Sequence, residues 1–135
     1  MDCIFCKIIN GEIPCAKIYE DDSVLAFLDI NPINKGHTLV ASKKHYANLY
    51  ETPDELLCKI STAVKKISIA VKRGVGATGI NVINNNEPSA GQIVLHYHIH
   101  IIPRFENDEH RHWTGKEKYE GEEMEDIKQK ICNFL

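Results

Sequence analysis

At 135 residues the chain has the length of one ordinary globular domain, large enough to bury a core without help from disulfides. Its 43% hydrophobic and 26% charged content excludes a mainly disordered or fibrous chain. The formal charge of -3 gives no basis for counterion-release binding to a nucleic-acid polymer, so any phosphate it holds belongs to a small molecule.

Five cysteines are an odd number, and Cys3 and Cys6 are spaced for metal or redox work rather than for a disulfide framework. Cys15, Cys58 and Cys132 read as small apolar residues. A turn at Gly11-Glu12-Ile13-Pro14 precedes two expected strands, Ala16 to Glu20 and Val24 to Ile30, joined by the hairpin residues Asp21-Asp22-Ser23. The stretch Asn31 to Gly36 is a loop by composition, and His37 to Ser42 forms a third strand. The helix that follows carries Thr52 as N-cap, Pro53 at the first helical position, Glu55 completing a capping box and Gly74 as a stop. Its apolar stripe is Leu56, Leu57, Ile60, Ala63, Val64, Ile67 and Val71, the spacing of a helix laid across a sheet.

A fourth strand is expected at Ile80 to Ile83, a polar loop at Asn84 to Gln92, and a fifth strand at Ile93 to Ile102, stopped by Pro103. The charged remainder holds a short helix from about Glu122, and its acidic run Glu117 to Asp126 is a solvated face. His110, His112 and Trp113 of this region receive no role. Hairpin-length links imply antiparallel pairing, and one long helix among strands implies an α+β layer: a five-stranded antiparallel sheet with one covered face. No apolar run approaches a membrane span and no secretory leader is evident, so a cytoplasmic protein with no membrane partner is expected.

Residues two apart on a strand share a face, so His96, His98 and His100 stand in a row while Tyr97, Ile99 and Ile101 point into the core. Successive rings are then roughly 6 to 7 Å apart along the strand, room for a phosphate between ring nitrogens. A neutral imidazole can attack such a group while a neighbour donates to its oxygens. Alternate histidines on a strand suit zinc as well, which leaves a zinc hydrolase as the rival reading.

Residues 96 to 102 match in full the signature His-φ-His-φ-His-φ-φ, with φ apolar. With Asp29-Ile30-Asn31-Pro32, Gly36 to Val40, Lys43-Lys44-His45 and Gly91-Gln92 in order, the chain resembles the histidine triad (HIT) superfamily over about residues 3 to 104, leaving 105 to 135 as a charged C-terminal extension of one domain. The likeness is to the bacterial-type Hint branch, with its Cys-x-Phe-Cys-like opening. The resemblance implies a homodimer that binds a purine nucleotide and hydrolyses phosphoramidates or adenylates through a covalent nucleotidyl intermediate on His98. His100 and His37 would contact the phosphate, and the backbone N–H groups of Gly91, Gln92 and Ile93 would cradle its oxygens. Asp29 would bind the ribose hydroxyls, Ile30 would pack on the base, and Asn84 would orient the site.

Zinc, held by Cys3, Cys6, His45 and His96, is the implied structural cofactor, with no organic cofactor, and His96 is then unavailable as a catalyst. Dinucleoside polyphosphate hydrolysis and nucleotide sensing with little turnover are the alternatives. Several members of the superfamily carry Ser or Thr where this chain has Ile93, so one polar contact to phosphate is missing, a change that can cost on the order of 1 kcal/mol.

Overall fold

The computed structural model describes residues 2–111 and 115–135; His112 and Trp113 lie outside the described residues. Five strands form one sheet: β1 (Lys17–Glu20), β2 (Val24–Leu28), β3 (Thr38–Ser42), β4 (Gly79–Ile83) and β5 (His98–Arg104). Their order is β1-β2-β3-β5-β4 and every neighbouring pair is antiparallel, as the hairpin-length links imply. The helices are α1 (Ile4–Ile9), α2 (Asp54–Val75) and α3 (Glu123–Cys132), with short 3-10 turns at Leu49–Glu51 and Pro88–Ala90. Among the described residues no helix is long and apolar enough to cross a membrane.

One face of the sheet packs on α2. Ile60, Ala63, Val64, Ile67 and Val71 recur at three- and four-residue intervals and meet Val24, Ala26, Val40, Tyr97 and Ile101. Each such side chain, fully withdrawn from water, contributes roughly 1.5–3 kcal/mol. The second face, expected to be bare, is partly covered. The short helix α1 lays Phe5 over it with Cys3, against Leu25, Phe27, Leu39 and Ala41.

The ends of the elements differ from expectation in ways that bear on the site. Thr52 does not cap α2, because its hydroxyl donates to the Asn48 carbonyl (2.8 Å) and closes the preceding 3-10 turn, so Pro53 becomes the N-cap. Gly74 is an ordinary helical residue, and the left-handed stop is Gly76 at φ 68°. Pro103 does not end the fifth strand. It lies beyond the β3 ladder, whose last pair is Thr38 with Ile101, so its missing N–H removes no bond to β3 and pairing with β4 runs on to Arg104. Conversely, Ile93 to Tyr97 are irregular: Gly91 turns at φ 88°, the His96 N–H donates to the Val94 carbonyl, and the Tyr97 N–H to that of Tyr46. β2 ends at Leu28, which leaves Asp29 and Ile30 on the loop, and His37 precedes β3.

Gly36 shapes that loop. It sits at φ +102°, and an added Cβ would come within 2.9 Å of Val75 Cγ1 on α2. Gly36→Ala is therefore expected to lower stability by about 2 kcal/mol, from backbone strain and the close approach together. Urea unfolding measures it, and an unchanged midpoint would contradict both causes.

Candidate active site and metal centre

Three of the expected residues meet at the open end of the sheet. His98 and His100 stand on β5, and His37 enters from the loop before β3, which brings it beside His100 because Leu39 pairs with that residue. His98 and His100 have ring centroids 4.9 Å apart, closer than the 6 to 7 Å of their backbone positions because the side chains lean together. His96 is turned elsewhere, so the three rings do not converge on a single point.

The protons on these rings can be assigned from what each nitrogen faces. His98 Nδ1 lies 2.6 Å from the His96 carbonyl oxygen, which can only accept, so Nδ1 carries hydrogen and Nε2 keeps its lone pair. The Ile33 N–H donates to His37 Nδ1 (3.1 Å), which leaves the His37 hydrogen on Nε2, where it donates to His100 Nδ1 (2.9 Å). His100 is then left with its hydrogen on Nε2. Asp29 Oδ2 stands 3.8 Å from His37 Nε2, too far for a hydrogen bond, and its other oxygen accepts the Asn31 N–H.

Burial pulls His37, His98 and His100 below the ordinary histidine value. The His37 ring lowers His100 further, while Asp29 opposes all three shifts. These rings are neutral near pH 7, as the chain of single hydrogens requires. In the unfolded chain the same histidines take up protons near pH 6.5, so below that pH the unfolded state binds more of them and stability falls as pH drops. Denaturant midpoints measured from pH 7.5 to 5.5 are expected to decline, and a flat profile would contradict neutral, buried rings at His37 and His100.

His98 and His100 form the floor of an apolar cleft of about 430 Å³ between α1 and the ends of β2 and β3, and His37 stands behind His100 rather than in the lining. Phe5, Phe27, Leu39 and Val94 line its wall, with Asp29 at one side. Ile30 and Ile93, 92% and 94% exposed, lie at its edge. Asn84 donates from Nδ2 to the His98 carbonyl (2.9 Å) and so fixes the start of β5 from the end of β4. Gln92 is buried and its amide is fully engaged: Oε1 accepts the Glu87 N–H, and Nε2 donates to the carbonyls of Ala47 and Val94. The N–H groups of Gly91 and Gln92 donate to the carbonyls of Pro88 and Glu87, so of the three expected phosphate donors only that of Ile93 stays uncommitted among the described residues.

Cys3, Cys6, His45 and His96 meet behind this cleft, their ligand atoms all within 4.8 Å of one another. Cys3 to His96, Cys6 to His45 and Cys6 to His96 are 3.4 to 3.6 Å from sulfur to Nδ1, and the two Nδ1 atoms are 3.1 Å apart. A tetrahedral ion with bonds of about 2.0 Å to nitrogen and 2.3 Å to sulfur needs ligands about 3.3 to 3.8 Å apart; three sulfur-to-nitrogen separations fall in that range and the Nδ1 pair lies slightly below it, so the donor set suits zinc. His96 is oriented for it, since its Nε2–H donates to the Ser42 carbonyl (2.7 Å) and its Nδ1 lone pair faces the cluster. Burial and the adjacent Cys3 thiol push the Cys6 thiol up.

Sequence reasoning missed several supports of these sites. Phe5, between the two cysteines, meets the His98 ring edge-to-face at 4.9 Å and the His96 ring at 5.8 Å. Ser42, Asn34 and Asp108 hold their neighbours through hydrogen bonds that pattern alone does not announce.

The HIT domain family model matches residues 10–107. Protein hit of Bacillus subtilis is 47% identical over 99% of this chain and 94% of that one. The adenosine 5'-monophosphoramidase of Schizosaccharomyces pombe is 44% identical over 88% of this chain and 86% of that one, and the adenylylsulfatase HINT3 of Arabidopsis thaliana is 49% identical over 79% and 54%. Among solved structures, a HIT family protein of Bacillus subtilis superposes with a TM-score of 0.91 at 46% identity, covering 100% of this chain and 98% of that one. A Zn-bound histidine triad protein of Mycobacterium smegmatis gives 0.77 at 39% identity, over 81% and 79%. On the family match and these identities, the chain belongs to the HIT family.

Proposed function

We propose that the protein is a nucleotide hydrolase or transferase that cleaves purine nucleoside phosphoramidates or adenylates through a nucleotidyl intermediate on His98. The observation that carries this reading is the 2.6 Å bond from His98 Nδ1–H to the His96 carbonyl, which leaves a neutral, unprotonated Nε2 open to the cleft. As the Nε2–phosphorus bond forms and the phosphorus–nitrogen bond of the substrate breaks, the departing nitrogen takes a proton from solvent and leaves as the amine, the imidazole gains positive charge, and the His96 carbonyl dipole stabilises it. Water then attacks phosphorus and releases a proton to solvent, the Nε2–phosphorus bond breaks, and Nε2 recovers its lone pair. His100, with hydrogen on Nε2, donates to a phosphate oxygen, and the free Ile93 N–H adds a second donor.

The remaining walls suit a nucleoside. Asp29 offers a carboxylate to two ribose hydroxyls, and the apolar edges at Ile30 and Ile93 suit a flat base. Two relatives are named for hydrolysis at an adenylyl group, a phosphoramidase and a sulfatase, which supports the same bond class here. Dinucleoside polyphosphates would use the same residues with another leaving group. The exposed Ile93, with no hydroxyl to offer, is the observation that favours slower turnover and a sensing role.

The Cys3, Cys6, His45 and His96 cluster is assigned to zinc, which when bound supplies structural cross-linking and no part of the reaction. Thiols kept free for a metal suit a reducing, cytoplasmic setting. The exposed edge strand β4, with Val82 and Ile83 open to solvent, suits a homodimer. The test of the reading is mass spectrometry of enzyme quenched rapidly with an adenosine phosphoramidate: an added AMP mass is expected on the peptide that carries His98.

A further inference from the structure

We propose that Asn34, held by the Asp108–Arg104 pair, is a positioning residue that sets the tautomers of His37 and His100. The inference rests on the reading of His100 as a donor to phosphate. Asp108 accepts a bidentate contact from Arg104 (2.8 Å from both Nε and Nη2), the N–H groups of Phe105 and His110, and one hydrogen of the Asn34 amide (3.0 Å). The second Asn34 hydrogen goes to the Pro103 carbonyl (2.9 Å). Both neighbours of the amide are acceptors, so its nitrogen and not its oxygen must face them. Arg104 also reaches Asn81 on β4 (2.7 Å), and Arg104 and Asp108 are each little exposed. The brace therefore ties the loop before β3 to the middle of β4 and the C-terminal end of β5.

What the brace holds is the grip on His37. The Asn34 carbonyl accepts the His37 N–H (3.0 Å), and the adjacent Ile33 N–H donates to His37 Nδ1. That single donor decides the rest. With it in place, His37 carries hydrogen on Nε2, His100 accepts at Nδ1, and the outward Nε2 of His100 is a donor. If Ile33 withdraws, His37 can carry its hydrogen on Nδ1 instead. Its Nε2 then needs a donor, His100 must move its hydrogen to Nδ1, and the nitrogen facing the cleft becomes a lone pair that repels a phosphate oxygen. Two coupled tautomer changes thus invert the polarity of the site with no change in charge.

The experiment compares the wild type with Asn34→Ala, using long-range 1H–15N spectra of the imidazoles and steady-state kinetics on an adenosine phosphoramidate. In the wild type both His37 and His100 are expected as Nε2–H tautomers. In Asn34→Ala a mixture is expected for both rings, with kcat/KM lower by about tenfold and the fold retained. Asp108→Asn is expected to act in the same direction, and if it does not fold, Asn34→Ala decides alone. Unchanged tautomers in Asn34→Ala overturn the inference, whether or not turnover falls, because a merely structural role could slow the enzyme without moving these hydrogens. Absence of an AMP adduct on His98 in the wild type would overturn the proposed function instead, and the tautomer spectra would still decide the role of Asn34.

Discussion

His98→Ala is expected to lower turnover of an adenosine phosphoramidate by at least about a thousandfold and to remove the AMP adduct seen on quenching. Loss of a nucleophile leaves only the stabilisation of charge by surrounding groups, and such residues act as a unit, so no partial substitute is available within reach. His100 does not replace it, because its Nε2 carries hydrogen where that of His98 carries a lone pair. AMP affinity is expected to change by less than about tenfold, since Asp29, His100 and the apolar wall remain. The combination of lost turnover with measurable AMP binding is the informative result. Undiminished turnover in the variant would remove the covalent mechanism, and loss of AMP binding together with turnover would point to collapse of the cleft.

The second large effect concerns the Cys/His cluster. The paired change Cys3→Ser with Cys6→Ser is expected to abolish zinc binding, at one ion per subunit in the wild type, and to lower the melting temperature by about 10–20 °C. An ion present at a thousand times its dissociation constant adds about 4 kcal/mol to a folded state that alone binds it. For a domain of this size that shift in free energy corresponds to a displacement on that scale. The ligands come from three separate parts of the chain, the N-terminus with α1, the turn after β3, and the segment before β5, so the cross-link opposes unravelling of α1 from the sheet. Metal content by elemental analysis and thermal unfolding with and without chelator measure the two parts. Turnover is expected to persist in part. If instead the metal is retained while chelation stops catalysis outright, the histidines before and on β5 serve a metal-centred hydrolysis.

The sheet and its long helix were legible because their signals are local. β2 and β3 show as short strand-like runs bounded by turn residues and α2 by its apolar stripe, and the order of elements then leaves few arrangements. The site was legible for a different reason: His96, His98 and His100 carry an unusual alternation, and the resemblance extended it to His37, Asp29 and Asn84. What pattern could not supply were features decided by tertiary contact. α1 is six residues long, shorter than a helix that holds in water alone, and its N-cap is the sulfur of Cys3, a residue with no capping preference. It exists because Phe5 is buried against Phe27. The strand over Ile93 to Ile102 was placed too early for a related reason. Its apolar and histidine residues alternate as in a strand, yet the Tyr46 and Ser42 backbones pin Tyr97 outside the regular ladder. Asn34 and Asp108 are turn residues by composition, and nothing in their neighbourhood in sequence reveals that they meet across 74 positions.

His96 contributes to the two centres through different parts of itself: its ring faces the cysteines, and its main-chain oxygen takes the Nδ1 hydrogen of His98. A carbonyl is present whatever side chain a codon specifies. A substitution at position 96 therefore removes the ring from the cluster directly, while an oxygen acceptor for His98 Nδ1 is still encoded by the backbone. One residue thus serves two centres through chemically independent groups, its imidazole toward the cysteines and its main-chain oxygen toward His98.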